Sequence, residues 1–132
     1  MNSPPTGFIA TKEAPVHENV KKAIVAASEL DTRLIMRGLR NTERVLNNAG
    51  VERLLKIEHE KGDTLTIADI HEQVAGVYPK VMLDGDMEAG AWSCGMVAGL
   101  IHDVPSVREL IDRIMREAEG LINQRLAGMG RK

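Results

Sequence analysis

Four histidines and one cysteine are the side chains in this sequence best suited to metal binding or nucleophilic catalysis. A metal site needs several such ligands close together, often only a few residues apart along the chain. The pair His102-Asp103 has suitable residue types, but the other histidines are scattered, at His17, His59 and His71. The sequence therefore predicts no metal site.

The remaining candidates for acid, base or nucleophile are also explained more simply as structural residues. Glu58, His59 and Glu60 are consecutive, so on a helix they point in different directions and indicate a solvated face. Cys94 lies in an apolar stretch with no histidine three or four residues away to activate it, so we interpret it as a packing residue. The sequence contains no glycine loop of the dinucleotide-binding or P-loop type. Residue chemistry alone names no catalytic residue.

The stretch from Asp84 to Ile101 is the most distinctive part of the chain. From Ala89 to Ile101 its only clearly polar side chain is Ser93, so the segment is apolar on every side. An element of that kind must be buried. The pattern predicts a buried helix that begins near Met87 and ends before Pro105.

Three glycines interrupt this predicted helix. Gly90, Gly95 and Gly99 would each cost it about 1 kcal/mol relative to alanine. Gly95 and Gly99 are four residues apart and Ala91 continues their row, so one face would be a nearly flat strip of main chain. This strip either packs closely against another helix or strand or lies against a planar ligand. Ser93 would either bond back to the carbonyl of Ala89 or offer its hydroxyl to that ligand.

Composition bounds the class of protein. The 132 residues suit one domain, and the net charge of -2 gives no support for a nucleic-acid partner. The longest apolar run is shorter than the roughly 20 residues that cross a bilayer, so we expect no membrane partner. With one cysteine and no secretory signal pattern, we expect a cytoplasmic chain.

Apolar residues recur at helical spacing along most of the remaining chain. The run Leu34–Met36 fits extended chain or helix equally well, and residues 77–83, which contain Pro79, are predicted to form an extended linker. The helices predicted before that linker run from Val16 to Ala27, as a bent pair between Asn41 and Lys61 with Gly50 at the bend, and from Thr66 to Gly76.

The last helix has the clearest beginning. Ser106 and Glu109 have the spacing of a capping box, in which each side chain accepts a hydrogen bond from a free amide of the first turn. Behind them, apolar residues from Val107 to Leu126 form a stripe with a period near 3.6. We expect this amphipathic helix to fold back on the buried glycine helix.

Three blocks of the sequence, Ile9–His17, Arg37–Thr42 and Gly85–Ile101, occur in a distinctive order and spacing. Together they resemble the C-terminal part of the nitronate monooxygenase family, also called 2-nitropropane dioxygenases. The resemblance runs from about Thr6 to Leu126. Members of that family are (β/α)₈ barrels that bind FMN and oxidise alkyl nitronates or nitroalkanes with oxygen, and some act as NADH:quinone reductases.

This resemblance implies a mainly α fold, the helical C-terminal fragment of a (β/α)₈ TIM-barrel flavoenzyme, with at most one short strand near residues 7–11. Residues 1–14 would be the remnant of the last barrel strand and its loop, and residues 15–83 a helical extension that covers the flavin. Residues 84–132 would comprise the buried glycine helix and the C-terminal amphipathic helix.

The resemblance also implies the cofactor-binding residues. Ser93 would lie nearest the flavin ring, Met96 would line the same pocket, and Thr6 remains from the run whose backbone amides hold the FMN phosphate in the family. Pro4 and Pro5 occupy other positions of that run, and proline has no amide to offer. These prolines argue against phosphate binding at this edge by the isolated chain.

The resemblance implies no catalytic residue in this chain, because the family's catalytic histidine lies upstream of the matching region. We expect the C-terminal portion of an FMN-dependent nitronate monooxygenase-like oxidoreductase, inactive as an isolated chain, with a nitronate or quinone as substrate of the full-length family. The alternative hypothesis is a helical interaction module. Its glycine strip would dock a partner, either another copy or a complementing barrel fragment.

Overall fold

Helices are the main elements of the computed structural model, which describes residues 6–126 and 128–130. The mainly α fold predicted from the sequence is confirmed for these residues, and they include two short strands. Pro4 and Pro5 lie outside the described residues. The elements are α1 (Thr6–Ile9), α2 (Glu18–Ala26), β1 (Thr32–Ile35), β2 (Glu43–Leu46), α3 (Ala49–Lys61), α4 (His71–Val74), α5 (Val77–Met82) and α6 (Val107–Gly120).

The strands β1 and β2 form an antiparallel hairpin in which Thr32 lies opposite Leu46. The ambiguous run at Leu34 is therefore part of a strand. The helix predicted around Val45 and Leu46 was wrong. Neighbouring residues of a strand point to opposite faces, and here both faces are covered. Leu46 belongs to one hydrophobic cluster and Val45 to another, so the hairpin separates two cores.

The two cores are defined by their buried residues. The first core lies on the side of α2 and α5, and the second lies between the hairpin and α3. The first core includes Ile9, Val20, Ile24, Leu46, Val77, Val81, Trp92, Cys94 and Ala98. The second core includes Ile35, Met36, Val45, Val51, Leu54, Ile70 and Ala91.

Helix α3 begins later than the sequence predicted. Its N-cap is Asn48, whose side-chain oxygen accepts a hydrogen bond of 2.9 Å from the amide of Val51, and not Asn41. Gly50 consequently lies in the first turn of one helix and does not separate two. The predicted end is confirmed, because the chain leaves the helix at Gly62 with a φ of +51°.

The segment predicted as an extended linker, residues 77–83, instead forms the helix α5 over Val77–Met82. Pro79 is compatible with it because it lies in the first turn, where a helix amide has no carbonyl partner to lose. The turn before α5 matches the prediction: Thr66 and Asp69 cap the helical residues that follow, and Gly76, with a φ of +67°, ends them.

The glycine-rich segment, residues 84–101, is buried in part but is not the predicted helix. After turns and bends that continue to Gly90 it straightens, and Ser93 forms an antiparallel bridge with Val45 of β2. Only Met96–Leu100 is helical, as a 3-10 turn. An apolar sequence indicates burial but not its geometry, and here the burial comes from an extended chain between two cores.

The alternation of side chains along this segment shows that geometry. Ala91 packs in the second core, whereas its neighbour Trp92 is fully buried in the first core. On a helix, neighbouring side chains point only about 100° apart around the axis, whereas on a strand they point to opposite faces. The segment therefore joins the two cores as a strand does.

The short strand expected near residues 7–11 was also wrong, because Thr6–Ile9 is the helical turn α1. Among the described residues no strand pairs with it, and two of its carbonyls have local partners. The amide of Ala10 donates to the carbonyl of Thr6, and the hydroxyl of Thr11 donates to the carbonyl of Phe8.

Helix α6 begins at the predicted capping box: the Ser106 hydroxyl accepts from the amide of Glu109, and the Glu109 carboxylate accepts from the amide of Ser106 at 2.7 Å. The helix does not fold back as expected. None of its residues is buried, because it is held mainly through polar contacts at its N-terminal half, such as the ion pair between Arg113 and Asp103. Exposed apolar residues lie along α6 and along the π-helical turn that follows it. We call them together the α6 apolar face: Ile111, Ile114, Met115, Leu121, Ile122 and Leu126.

None of the described helices has both the length and the apolarity needed to cross a bilayer.

Candidate functional site

Ser93 lies at the centre of a small polar network on the surface. Its hydroxyl oxygen is 2.6 Å from the Tyr78 hydroxyl, and its amide donates to the same Tyr78 oxygen at 3.0 Å. The Ser93 hydroxyl also contacts a carboxylate oxygen of Glu43. We call Glu43, Tyr78 and Ser93 the hydroxyl cluster.

Three separate elements bring the hydroxyl cluster together. Glu43 is the first residue of β2, and the bridge between Val45 and Ser93 aligns the glycine-rich segment with that strand. Gly76 turns the chain into α5, whose second residue is Tyr78. The hairpin and the helix thus meet at the Ser93 hydroxyl.

Sequence reasoning identified Ser93 but missed its two partners. Glu43 is 50 residues away along the chain and Tyr78 is 15 residues away. Tyr78 lay in a segment predicted as an extended linker, and Glu43 in one predicted as a helix, so no pattern placed them near Ser93. The one available signal was composition, since Tyr78 is the only tyrosine of the chain.

Thr6, the second predicted cofactor residue, lies beside the same segment. Its hydroxyl oxygen accepts a hydrogen bond of 3.0 Å from the amide of Gly95. The Thr6 side chain is buried, whereas Met96, the third predicted residue, is 49% exposed. The structure therefore brings Thr6 to Gly95, the residue before Met96, and Thr6 is buried whereas Met96 is exposed.

An apolar groove of about 390 Å³ lies beside the residues that follow Met96. Val97 and Leu100 line it from the glycine-rich segment, Phe8 from α1, and Ile114 from α6. Val97 and Leu100 are 47% and 78% exposed, so this surface is largely uncovered by the described residues.

Cys94 is buried in the first core, next to Ser93 in sequence but on the opposite side of the chain. Burial raises the pKa of its thiol to about 11, because a thiolate would lose its hydration there. The thiol therefore stays protonated near neutral pH. The interpretation of Cys94 as a packing residue agrees with this position.

The histidines examined as ligands in the sequence have structural surroundings where the structure describes their contacts. His17 caps α2, accepting a hydrogen bond of 3.1 Å from the amide of Asn19, and its ring packs against Gly85. In the His102-Asp103 pair, the Asp103 carboxylate is bound by Arg113. Two hydrogen bonds from Arg113 lower the pKa of the Asp103 carboxyl. Among the described residues, no three histidine, cysteine or acidic side chains converge on one point.

The glycine strip is covered by the chain itself. An added Cβ at Gly99 would lie 2.7 Å from the amide nitrogen of Glu29, and one at Gly95 would touch Thr6 at 3.5 Å. Ala91 donates its amide to the carbonyl of Gln73. The predicted close approach is therefore met by an intramolecular contact at Gly99, whereas Gly95 makes ordinary contacts.

Two comparisons place this structure among known proteins. A family model described as nitronate monooxygenase matches residues 5–117. The structure of FabK from Thermotoga maritima, a TIM-barrel protein, matches with a TM-score of 0.80 and 29% sequence identity, over 95% of this chain and 38% of that chain. A point mutant of the same FabK matches with a TM-score of 0.76 and 26% identity, over 95% and 36%.

The chain therefore spans less than two fifths of the length of the solved structures that it resembles. The similarity to a TIM-barrel protein confirms the fold class predicted from the sequence. The family model extends over most of the chain and includes all three blocks on which the resemblance was based. The chain belongs to the nitronate monooxygenase family.

Proposed function

We propose that this chain is the flavin-contacting C-terminal portion of an FMN-dependent oxidoreductase that oxidises alkyl nitronates or nitroalkanes. The observation that carries the proposal is the family match over residues 5–117, which contains the whole surface around Ser93. Bound FMN would supply the redox chemistry, taking electrons from the substrate and returning them to oxygen.

The surface around Ser93 fits the ring of such a cofactor. Ligand sites for planar heterocycles combine apolar walls with a few polar groups that fix orientation. Met96 and Val97 are about half exposed, and Ser93 of the hydroxyl cluster precedes Met96 by three residues. We assign Met96 to the face of the ring and Ser93 to its polar edge, while Thr6 holds Gly95 and so fixes the main chain between them.

The proposal leaves the catalytic base outside this chain. A base must reach the proton that it removes, and the His17 ring is engaged as a helix cap. Cys94 is buried with a raised pKa. We therefore propose that the isolated chain binds flavin without turning over a nitronate.

The first experiment measures binding and turnover separately. The purified chain is titrated into FMN while flavin fluorescence is recorded, and oxygen consumption is then followed with a propyl nitronate. We expect weak binding and no turnover above the flavin alone. Turnover that depends on the chain would contradict the assignment of the base, and absence of binding at millimolar FMN would contradict the proposal itself.

A matched pair of methionine variants locates the binding surface. Met96→Ala removes an apolar wall of the proposed site, whereas Met115→Ala removes a similarly exposed methionine from α6. We expect Met96→Ala to weaken FMN binding several-fold and Met115→Ala to leave it unchanged. Equal effects of the two variants would place the flavin elsewhere.

We further propose that the partner of this chain is a polypeptide carrying the remaining barrel strands of the family. The α6 apolar face and the groove beside it are uncovered among the described residues, and apolar surface of this extent favours association. Co-expression with the upstream barrel half of a family member should yield a co-purifying complex. A chain that stays monomeric by sedimentation and is not retained by the barrel half contradicts this part.

A further inference from the structure

The hydrogen atoms of the hydroxyl cluster can be assigned by elimination. A carboxylate accepts hydrogen bonds and cannot donate them, so the Ser93 hydroxyl must donate to Glu43. A hydroxyl has one hydrogen, and Ser93 has therefore none left for Tyr78. The 2.6 Å contact between the two hydroxyls must then be a hydrogen bond donated by Tyr78 to Ser93.

The amide of Ser93 is committed as well, since it donates to the Tyr78 oxygen at 3.0 Å. All three hydrogens of the cluster are thus used inside it. What remains open are lone pairs, one on the Ser93 hydroxyl and one on the Tyr78 oxygen. The second carboxylate oxygen of Glu43 accepts no hydrogen bond from the residues that the structure describes.

This arrangement is accessible to a ligand. Tyr78 is 41% exposed, and Ser93 and Glu43 are partly exposed beside it. A surface with a carboxylate and only lone pairs repels anions and has no hydrogen to offer an acceptor. Such a surface binds hydrogen-bond donors.

We propose that the hydroxyl cluster is an acceptor-only site that accepts a hydrogen bond from the single ring N–H of the flavin, at N3. The inference rests on the proposed function and specifies which edge of the cofactor meets Ser93. An oxidised isoalloxazine has one N–H, at N3, so this is the ring atom that the cluster can take. The same chemistry excludes the phosphate end of FMN from the cluster, because Glu43 would repel it.

The test compares FMN with 3-methyl-FMN, in which a methyl group replaces that hydrogen. The ¹⁵N-labelled chain is titrated with each flavin, and the shifts of the Ser93 and Met96 amide signals give both dissociation constants. We expect 3-methyl-FMN to bind about tenfold more weakly, the loss of one good hydrogen bond. Equal affinities overturn the assignment of the edge while leaving the proposed function intact, whereas no response to either flavin overturns both.

A substitution in the cluster separates recognition from a merely structural role. In Glu43→Gln the new amide can donate to Ser93, which frees the Ser93 hydroxyl to act as a donor. We expect this variant to lose most of its discrimination between the two flavins. Glu72→Gln makes the same chemical change on the exposed helix α4 and should keep it.

The outcome for Glu43→Gln is decisive only in a folded protein, so the circular dichroism and thermal transition of both variants are recorded first. A folded Glu43→Gln chain that still prefers FMN tenfold would overturn the acceptor-only assignment. Should Glu43→Gln fail to fold, Tyr78→Phe replaces it. Loss of the Tyr78 hydroxyl frees the Ser93 amide as a donor and should likewise reduce discrimination, and a folded Tyr78→Phe chain with unchanged preference also overturns the assignment.

Discussion

Gly50 and Gly90 pack main chain against main chain. A Cβ added to Gly50 would lie 2.7 Å from the Gly90 nitrogen and closer still to its Cα. The contact is reinforced by Asn48, whose side-chain amide donates to the Gly90 carbonyl at 2.9 Å. The beginning of α3 is therefore fixed directly on the glycine-rich segment that leads to Ser93.

We predict that Gly50→Ala destabilises the protein by roughly 1 to 3 kcal/mol. The methyl group has no space to enter, and overpacking of this kind outweighs the gain of about 1 kcal/mol in helix propensity. Urea unfolding followed by circular dichroism measures the change. Gly120→Ala is the matched control, because it is also a helical glycine but has nothing within 4 Å of the added Cβ. It should be neutral or stabilising.

Two glycines of the predicted strip should respond differently to the same change. Gly99→Ala places a methyl group 2.7 Å from the Glu29 amide nitrogen and should lower the melting temperature by several degrees. Gly95→Ala makes ordinary contacts with Thr6 and Val97, at 3.5 and 3.6 Å, and should be tolerated. Similar melting temperatures for the two variants would show that the contact at Glu29 yields easily.

Acid should weaken the cap formed by Thr66 and Asp69. The Thr66 hydroxyl and, next, Lys61 lower the pKa of the Asp69 carboxyl from 3.8 to about 2. Because the folded pKa is depressed, this contribution to stability is fully present above pH 3.8 and is lost as the pH falls towards 2. Unfolding free energies measured between pH 2 and 5 should fall less steeply for Asp69→Asn than for the parent chain. Asp112→Asn, an exposed carboxyl of α6, should keep the parent slope.

The thiol of Cys94 should be inert in the folded chain. Burial raises its pKa to about 11, so at pH 8 the reactive thiolate is scarce as well as inaccessible. We expect alkylation by iodoacetamide to be slow in buffer and rapid in urea, with mass spectrometry as the readout. Fast modification under native conditions would mean that the segment around Ser93 opens readily.

Local signals in the sequence predicted local structure well. The capping box at Ser106, the cap at Thr66, the helix α2 and the stop at Gly62 depend on residues within one or two turns, and each was found. The family was also identified from sequence blocks alone, and the match over residues 5–117 confirms it. Such features need no knowledge of what lies across the core.

Features that depend on distant partners could not be predicted. The segment around Trp92 is apolar enough for a buried helix, and only the pairing of Ser93 with Val45 makes it extended. The same reason explains the missed strand β2 and the missed partner Tyr78. Whether Ser93, Met96 and Thr6 bind a flavin stays a prediction, although the Thr6 hydroxyl is hydrogen-bonded to Gly95, the residue before Met96.

Trp92 gives the chain an internal optical reporter. It is the only tryptophan, it is fully buried, and no described residue accepts a hydrogen bond from its indole nitrogen, so its emission should be blue-shifted in the native state and move to the red on unfolding. Since Trp92 directly precedes Ser93, an isoalloxazine docked at that serine would lie well within range of resonance energy transfer from the indole. A single emission spectrum would then register the integrity of the first core and the arrival of the cofactor together.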